Sequence, residues 1–158
     1  MSSKTLCAFV RFSVISAALC GLILCGYVFP IALPDILGFD PYRGGMYVWL
    51  VFLLMTAAPG FIILIFVWKV SSAVKHDDVF TERTAKWIKR AAVLLLADAG
   101  FFAAGNAVLL LIGLSRPNIF FVSILGCLFG VSLALLAAVL SRYISKAADM
   151  REEADATI

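Results

Sequence analysis

The sequence predicts an all-α fold, a four-helix transmembrane bundle with both termini in the cytoplasm, and three observations predict it. Hydrophobic residues make up 63% of the 158 positions and charged residues only 15%, more apolar material than a soluble core of that size can bury. The apolar residues are gathered into four long stretches with almost no charge on any face, and a helix needs about 20 such residues to cross roughly 30 Å of hydrocarbon. The Lys and Arg residues gather at alternate connections rather than at all of them.

The first stretch runs from Ala8 to Phe29, with Lys4 and Arg11 near its start. A basic start before an apolar run resembles a secretory signal, but no small-x-small cleavage site closes it, so a retained helix is expected. Neither Leu19-Cys20 nor Leu24-Cys25 carries the small residue that lipoprotein processing needs before its cysteine. The four cysteines, Cys7, Cys20, Cys25 and Cys127, lack the close pairing of redox or zinc motifs and read as small hydrophobes. After the first helix, Pro30, Pro34, Gly38, Pro41, Gly44 and Gly45 predict loop.

The second stretch runs from Met46 to Val70. Pro59-Gly60 interrupts it, which frees the carbonyl near Met55 and predicts a bend. In the connection Lys75 to Glu82, Thr81 is a helix cap and Glu82 complements the positive end of the helix that follows. That third helix, over about 81–114, contains the apolar stretch Ala91 to Leu114. Ser115-Arg116-Pro117-Asn118 leaves room only for a tight hairpin, so the third and fourth helices are antiparallel neighbours. The fourth apolar stretch, Asn118 to Tyr143, predicts a helix over about 118–146. The whole chain, 1–158, thus reads as one integral membrane domain with helices at about 8–29, 46–70, 81–114 and 118–146 and a short tail, 147–158, which either extends the fourth helix into the cytoplasm or frays.

Eleven of the thirteen Lys and Arg residues lie at the N-terminus, between Lys69 and Arg90, or between Arg142 and Arg151, leaving only Arg43 and Arg116 for the other side. The positive-inside rule then places the termini and the middle connection in the cytoplasm. Trp68, Trp87 and Tyr143 fit an inner aromatic belt, and Tyr27, Tyr47 and Trp49 an outer one. The net charge of +3 follows from this topology and from lipid headgroups, so no direct nucleic-acid role is expected.

Asp98 is the residue hardest to explain by packing alone, since it lies about 10 Å inside the third apolar stretch. A mid-membrane carboxylate costs about 2.5 to 3.5 kcal/mol to insert; the apolar residues Val93 to Leu96 and Val108 to Ile112 offset that, provided that Asp98 faces protein. Asn106 follows about 12 Å along and about 80° round, so the two are the intramembrane polar candidates. Thr56, Ser123 and Ser132 are candidate partners. One reading is an ion or ligand site, the other a hydrogen-bonded clasp between helices.

Gly126, Gly130, Ala134 and Ala138 recur every four residues along the fourth helix, opposite a row of Ala99, Ala103 and Ala107 in the third, and are the candidate helix-packing residues. Packing of the third helix on the fourth is the simpler use of such a stripe, and a homo-oligomer the other. Catalysis finds no support. The one histidine, His76, sits beside Asp77 and Asp78 in a connection, and neither a phosphate-binding glycine loop nor a G-x-S-x-G elbow is present. No metal and no cofactor is expected, and the chain is read as not an enzyme.

At Asp78-Val79-Phe80-Thr81-Glu82 and at Met150-Arg151-Glu152-Glu153-Ala154-Asp155-Ala156-Thr157-Ile158 the chain resembles a bacterial family of four-helix membrane proteins, domain of unknown function 2975. Phe80, Thr81, Glu153, Asp155, Thr157 and Ile158 fit the family's Gly-x-Pro-Phe-Thr-like turn and its Leu-x-Glu-Glu-x-Asp-Leu-Thr-Ile/Val-like ending. Asp78-Val79 and Ala156 depart from them. In that family the genes commonly neighbour a small helix-turn-helix regulator of the Cro/CI type, so the resemblance implies a bacterial plasma (inner) membrane protein that partners such a regulator, with these six residues as partner-binding candidates. Two alternatives stand beside it: a small transporter or channel component using Asp98 and Asn106, and a structural accessory subunit of a membrane complex.

Overall fold

The computed structural model describes residues 3–32, 45–75 and 81–156. Those residues form helices and one short turn, with no strand among them. Helix α1, Ser3–Ile23, continues into π-helical turns over Leu24–Ala32. Helix α2 is Gly45–Lys75, α3 is Glu82–Leu111 and α4 is Pro117–Ala156. All four are long and apolar enough to cross a membrane. Large apolar side chains cover the outside of each, among them Phe12, Tyr47, Val93 and Phe129, as lipid rather than water requires.

Local signals account for where the helices start, run and stop. Thr81 caps α3 as its position predicts: its backbone is extended, at φ −126° and ψ 150°, and its hydroxyl accepts from the Thr84 N–H at 3.4 Å. Glu82 in the first turn pairs with Lys86 at 2.9 Å. At the other end Gly113, at φ 74°, takes the left-handed conformation that glycine adopts without a Cβ penalty. It sends the Gly113 N–H to the Leu110 carbonyl at 3.1 Å and the Leu114 N–H to the Leu109 carbonyl at 2.9 Å. That pair of bonds is a Schellman stop, and four residues on, Pro117 opens α4.

Helix α2 runs through Pro59 as one helix of 31 residues. Three residues before it the Thr56 hydroxyl donates to the Leu53 carbonyl at 2.9 Å, a bond within its own helix. The fourth helix does not stop near 146 but continues to Ala156, over 40 residues. At 1.5 Å per residue it is about 60 Å long, twice the hydrocarbon thickness.

The helices pack in chain order: α1 on α2, α2 on α3, and α3 most extensively on α4. Among the described residues no contact of similar extent closes α4 back onto α1. Two bonds fix the α3–α4 register. Ser141 Oγ donates to the Ala85 carbonyl at 2.8 Å, and Cys127 Sγ lies 3.7 Å from the Ala99 carbonyl. Midway between them Ala92 and Ala134 are both buried. The seam is therefore a seven-residue repeat of small side chains, Ala85, Ala92 and Ala99 facing Ser141, Ala134 and Cys127, which lets two backbones approach without needing interlocking large residues.

Between α2 and α3 the seam is aromatic. Phe52 stacks on Phe102 with ring centroids 5.6 Å apart, and its edge meets Trp49 at 6.0 Å. Trp49, read from sequence as part of the outer belt, is buried, and its indole N–H donates to the Leu114 carbonyl at 2.8 Å. It ties α2 to the α3–α4 turn. Between α1 and α2, Cys7 and Ser71 are buried together, with Cys7 Sγ 3.4 Å from the Ser71 carbonyl, and the Phe61 ring lies against the Gly21 backbone.

Candidate functional site

Because the helices pack in series, the middle of the bundle is not filled. A cavity of about 530 Å³ lies there, lined by all four helices. Small residues open it: Gly21 of α1, Ala57 and Gly60 of α2, and Gly126 and Gly130 of α4 all line it. A Cβ added at Gly60 or Gly126 would meet nothing within 4 Å. At those two positions glycine makes space instead of contact. Phe29, Phe61 and Phe102 supply aromatic walls, and the π-helical turns after α1 contribute Leu24, Cys25 and Phe29. π-Helical segments are frequent at functional sites.

Asp98 supplies the cavity's one ionisable carboxylate. Its Oδ1 is buried and has no hydrogen-bond partner. Among the described residues no Lys, Arg or His lines the cavity, and the ion pair seen among them, Lys86 with Glu82, is at the start of α3. Thr56 is the other polar side chain on the wall, with its hydroxyl proton directed to Leu53. Among the described residues Asp98 Oδ1 thus has neither an internal counter-charge nor a hydrogen-bonded clasp on another helix.

Asn106 does not share this site. It is 1% exposed, its amide donates to the Phe102 carbonyl of its own helix at 2.8 Å, and its Oδ1 has no partner. It does not line the cavity. Nor do the other polar residues named as partners complete a cluster: the Ser132 hydroxyl donates to the Leu128 carbonyl at 2.8 Å on an exposed face, and Ser123 lies outside the cavity wall. Hydroxyls in a helix reach their own carbonyls more easily than another helix.

The glycine–alanine stripe of α4 divides between two environments. Gly126 and Gly130 line the cavity, with a Gly130 Cβ position 3.9 Å from Ala99 Cβ. Ala134 is buried in the α3 seam, whereas Ala138 is exposed at a second groove of about 390 Å³ between α3 and α4. Of the row drawn on α3, Ala99 is buried, Ala107 half-buried and Ala103 exposed.

Three of the remaining candidates lie among the described residues, at the end of the bundle where basic residues gather. Thr81 is the α3 cap, Glu153 is exposed on the last turns of α4, and Asp155 belongs to the same helix. Phe80, Thr157 and Ile158, together with His76, lie outside the described residues. At this end Lys69 Nζ sits 4.0 Å from the Trp87 ring centroid and the Arg90 guanidinium 5.1 Å from it, and Arg11 lies 5.2 Å from the Trp68 ring. These cation–π contacts hold basic side chains beside tryptophan rings.

The sequence reading named Asp98 but not the cavity around it. Its signal was glycine on three different helices, at Gly21, Gly60 and Gly126, which only a known register brings together.

No curated protein and no solved structure matches the chain. A family described as "Protein of unknown function (DUF2975)" matches residues 7–158, nearly the whole length and all four helices, and the chain belongs to that family.

Proposed function

We propose that this multi-pass membrane protein is a sensor in the bacterial inner membrane. In this reading its termini lie in the cytoplasm, a molecule drawn from the bilayer occupies the central cavity, and the cytoplasmic end holds or releases a helix-turn-helix regulator. The observation that carries the reading is the continuity of α4. One uninterrupted helix lines the cavity with Gly126, Cys127 and Gly130 and ends in the charged segment around Arg151 and Glu153. A ligand that fits one tilt of α4 better than another shifts the population of that tilt, and a rigid helix carries the shift along its length to the basic end. The mixed charges there offer a basic DNA-binding protein an electrostatic docking site.

Affinity purification from native membranes tests the reading, comparing the intact chain with one truncated after Lys146. A small DNA-binding protein recovered only with the intact chain is the expected result. A regulator that fractionates identically with and without this protein would end the proposal.

One observation favours a second reading, a transporter or channel component. Asp98 stands on the wall of a cavity that all four helices share, and intramembrane carboxylates mark ion and proton pathways. Asp98→Asn then alters ion-dependent flux in vesicles; unchanged flux with intact folding counts against it.

A further inference from the structure

We propose that the central cavity binds a lipophilic cation, with the Asp98 carboxylate as its counter-ion and the rings of Phe29, Phe61 and Phe102 around its apolar body. The inference rests on the sensor reading only in naming what that reading leaves open, the chemical class of the ligand.

Size, access and charge each narrow the occupant. A cavity of about 530 Å³ falls within the roughly 300–1,000 Å³ of small-molecule sites. Access is lateral: residues of α1 and α4 both line the cavity, and among the described residues no contact of comparable extent joins the two helices, so a molecule dissolved in the hydrocarbon enters between them. Charge decides the rest. The buried Asp98 Oδ1 lacks a partner, and no basic residue among those described lines the wall. A neutral apolar molecule would complete the desolvation of that carboxylate without giving it a partner, at a cost in affinity. An anion would add repulsion in a medium of low dielectric. A cation supplies the missing charge, and phenyl faces attract it further.

The test uses the full chain in a non-ionic detergent and tetraphenylphosphonium as probe, measured by equilibrium dialysis against empty micelles. Saturable binding of one probe per chain is expected, with tetraphenylborate, an anion of the same shape, at least about tenfold weaker. Asp98→Asn is expected to weaken the probe at least about tenfold, the loss of one charge-assisted contact. Gly126→Leu projects into the cavity from a position where a new Cβ meets no neighbour within 4 Å, and it is expected to abolish binding while Asp98 remains. Equal binding of both ions, or binding unchanged in both variants, overturns the proposal. If Asp98→Asn fails to fold, Gly126→Leu and the two ions decide alone. Added phosphatidylethanolamine that displaces the probe assigns the site to a lipid amine; failure to displace assigns it to a free cation. Loss of the proposal leaves tail-dependent capture of a regulator untouched, so the two failures are separable.

Discussion

Phe52 lies so close to the α3 backbone at Gly105 that a Cβ built on Gly105 would fall within the van der Waals envelope of the ring. The ring has little freedom to withdraw, because Trp49, Phe101 and Phe102 surround it with centroids between 5.6 and 6.0 Å away. Glycine at 105 is what allows α2 to approach α3 there.

The first prediction is a reversal of sign. Gly→Ala inside a helix ordinarily stabilises by about 1 kcal/mol, but Gly105→Ala is expected to destabilise by about 1–3 kcal/mol, as overpacking does. In a Phe52→Ala background the same change is expected to stabilise. Denaturant unfolding of the two single variants and the double variant closes the cycle. Stabilisation of equal size in both backgrounds would show that the ring moves freely.

How far the sequence anticipates this arrangement depends on the scale of the feature. Helix number, the Thr81 cap and the α3–α4 hairpin rest on length, hydropathy and local turn chemistry, all of which are local in sequence. Asp98 was legible because a carboxylate in an apolar stretch is anomalous without any knowledge of neighbours. Features made by register were not. Trp49 reads as an interfacial aromatic until its N–H is seen to meet the Leu114 carbonyl, 65 positions away. Asn106 and Asp98 lie on compatible faces by helical geometry, yet Asn106 turns to the Phe102 carbonyl one turn back. The small-residue seam that joins α3 to α4 repeats every seven residues and passes through Ser141 and Cys127, which hydropathy alone does not mark as packing residues.

That seam gives the second prediction. Ser141→Ala removes the bond to the Ala85 carbonyl and is expected to destabilise by about 0.6 kcal/mol, at most about 1.7. Ala134→Leu, at a position only 2% exposed, is expected to destabilise by about 1–3 kcal/mol through overpacking. The sites are seven residues, or about 10 Å, apart on α4, so the effects add. Thermal unfolding of the single and double variants in detergent measures both. A neutral Ala134→Leu would mean that α3 and α4 do not approach through this face.

Orientation provides a third. In a chain whose four native cysteines are replaced by alanine, single cysteines at Arg116 and Lys146 are expected to react with a membrane-impermeant maleimide from opposite sides. Intact cells label the 116 position, and Lys146→Cys reacts only after the membrane is opened. The reverse pattern would invert the proposed topology and move the charged end of α4 out of reach of any cytoplasmic regulator.

The fourth prediction separates the two uses open to Asp98. If the carboxylate were a clasp between helices, Asp98→Leu would destabilise the folded bundle by about 0.6 to 1.7 kcal/mol, the usual worth of a hydrogen bond between membrane helices. Its Oδ1 has no partner in the bundle, so the ligand-free protein is expected to lose nothing and to unfold at the same or a higher denaturant concentration. Insertion of α3 should improve by about 3 kcal/mol, the difference between aspartate and leucine at a helix centre, which a glycosylation-reporter insertion assay reads independently of folding. A loss of folded stability with improved insertion would locate a protein partner for Asp98 and remove the need for a cation. No loss would leave Asp98 without a partner on another helix, and a cationic ligand fills that role.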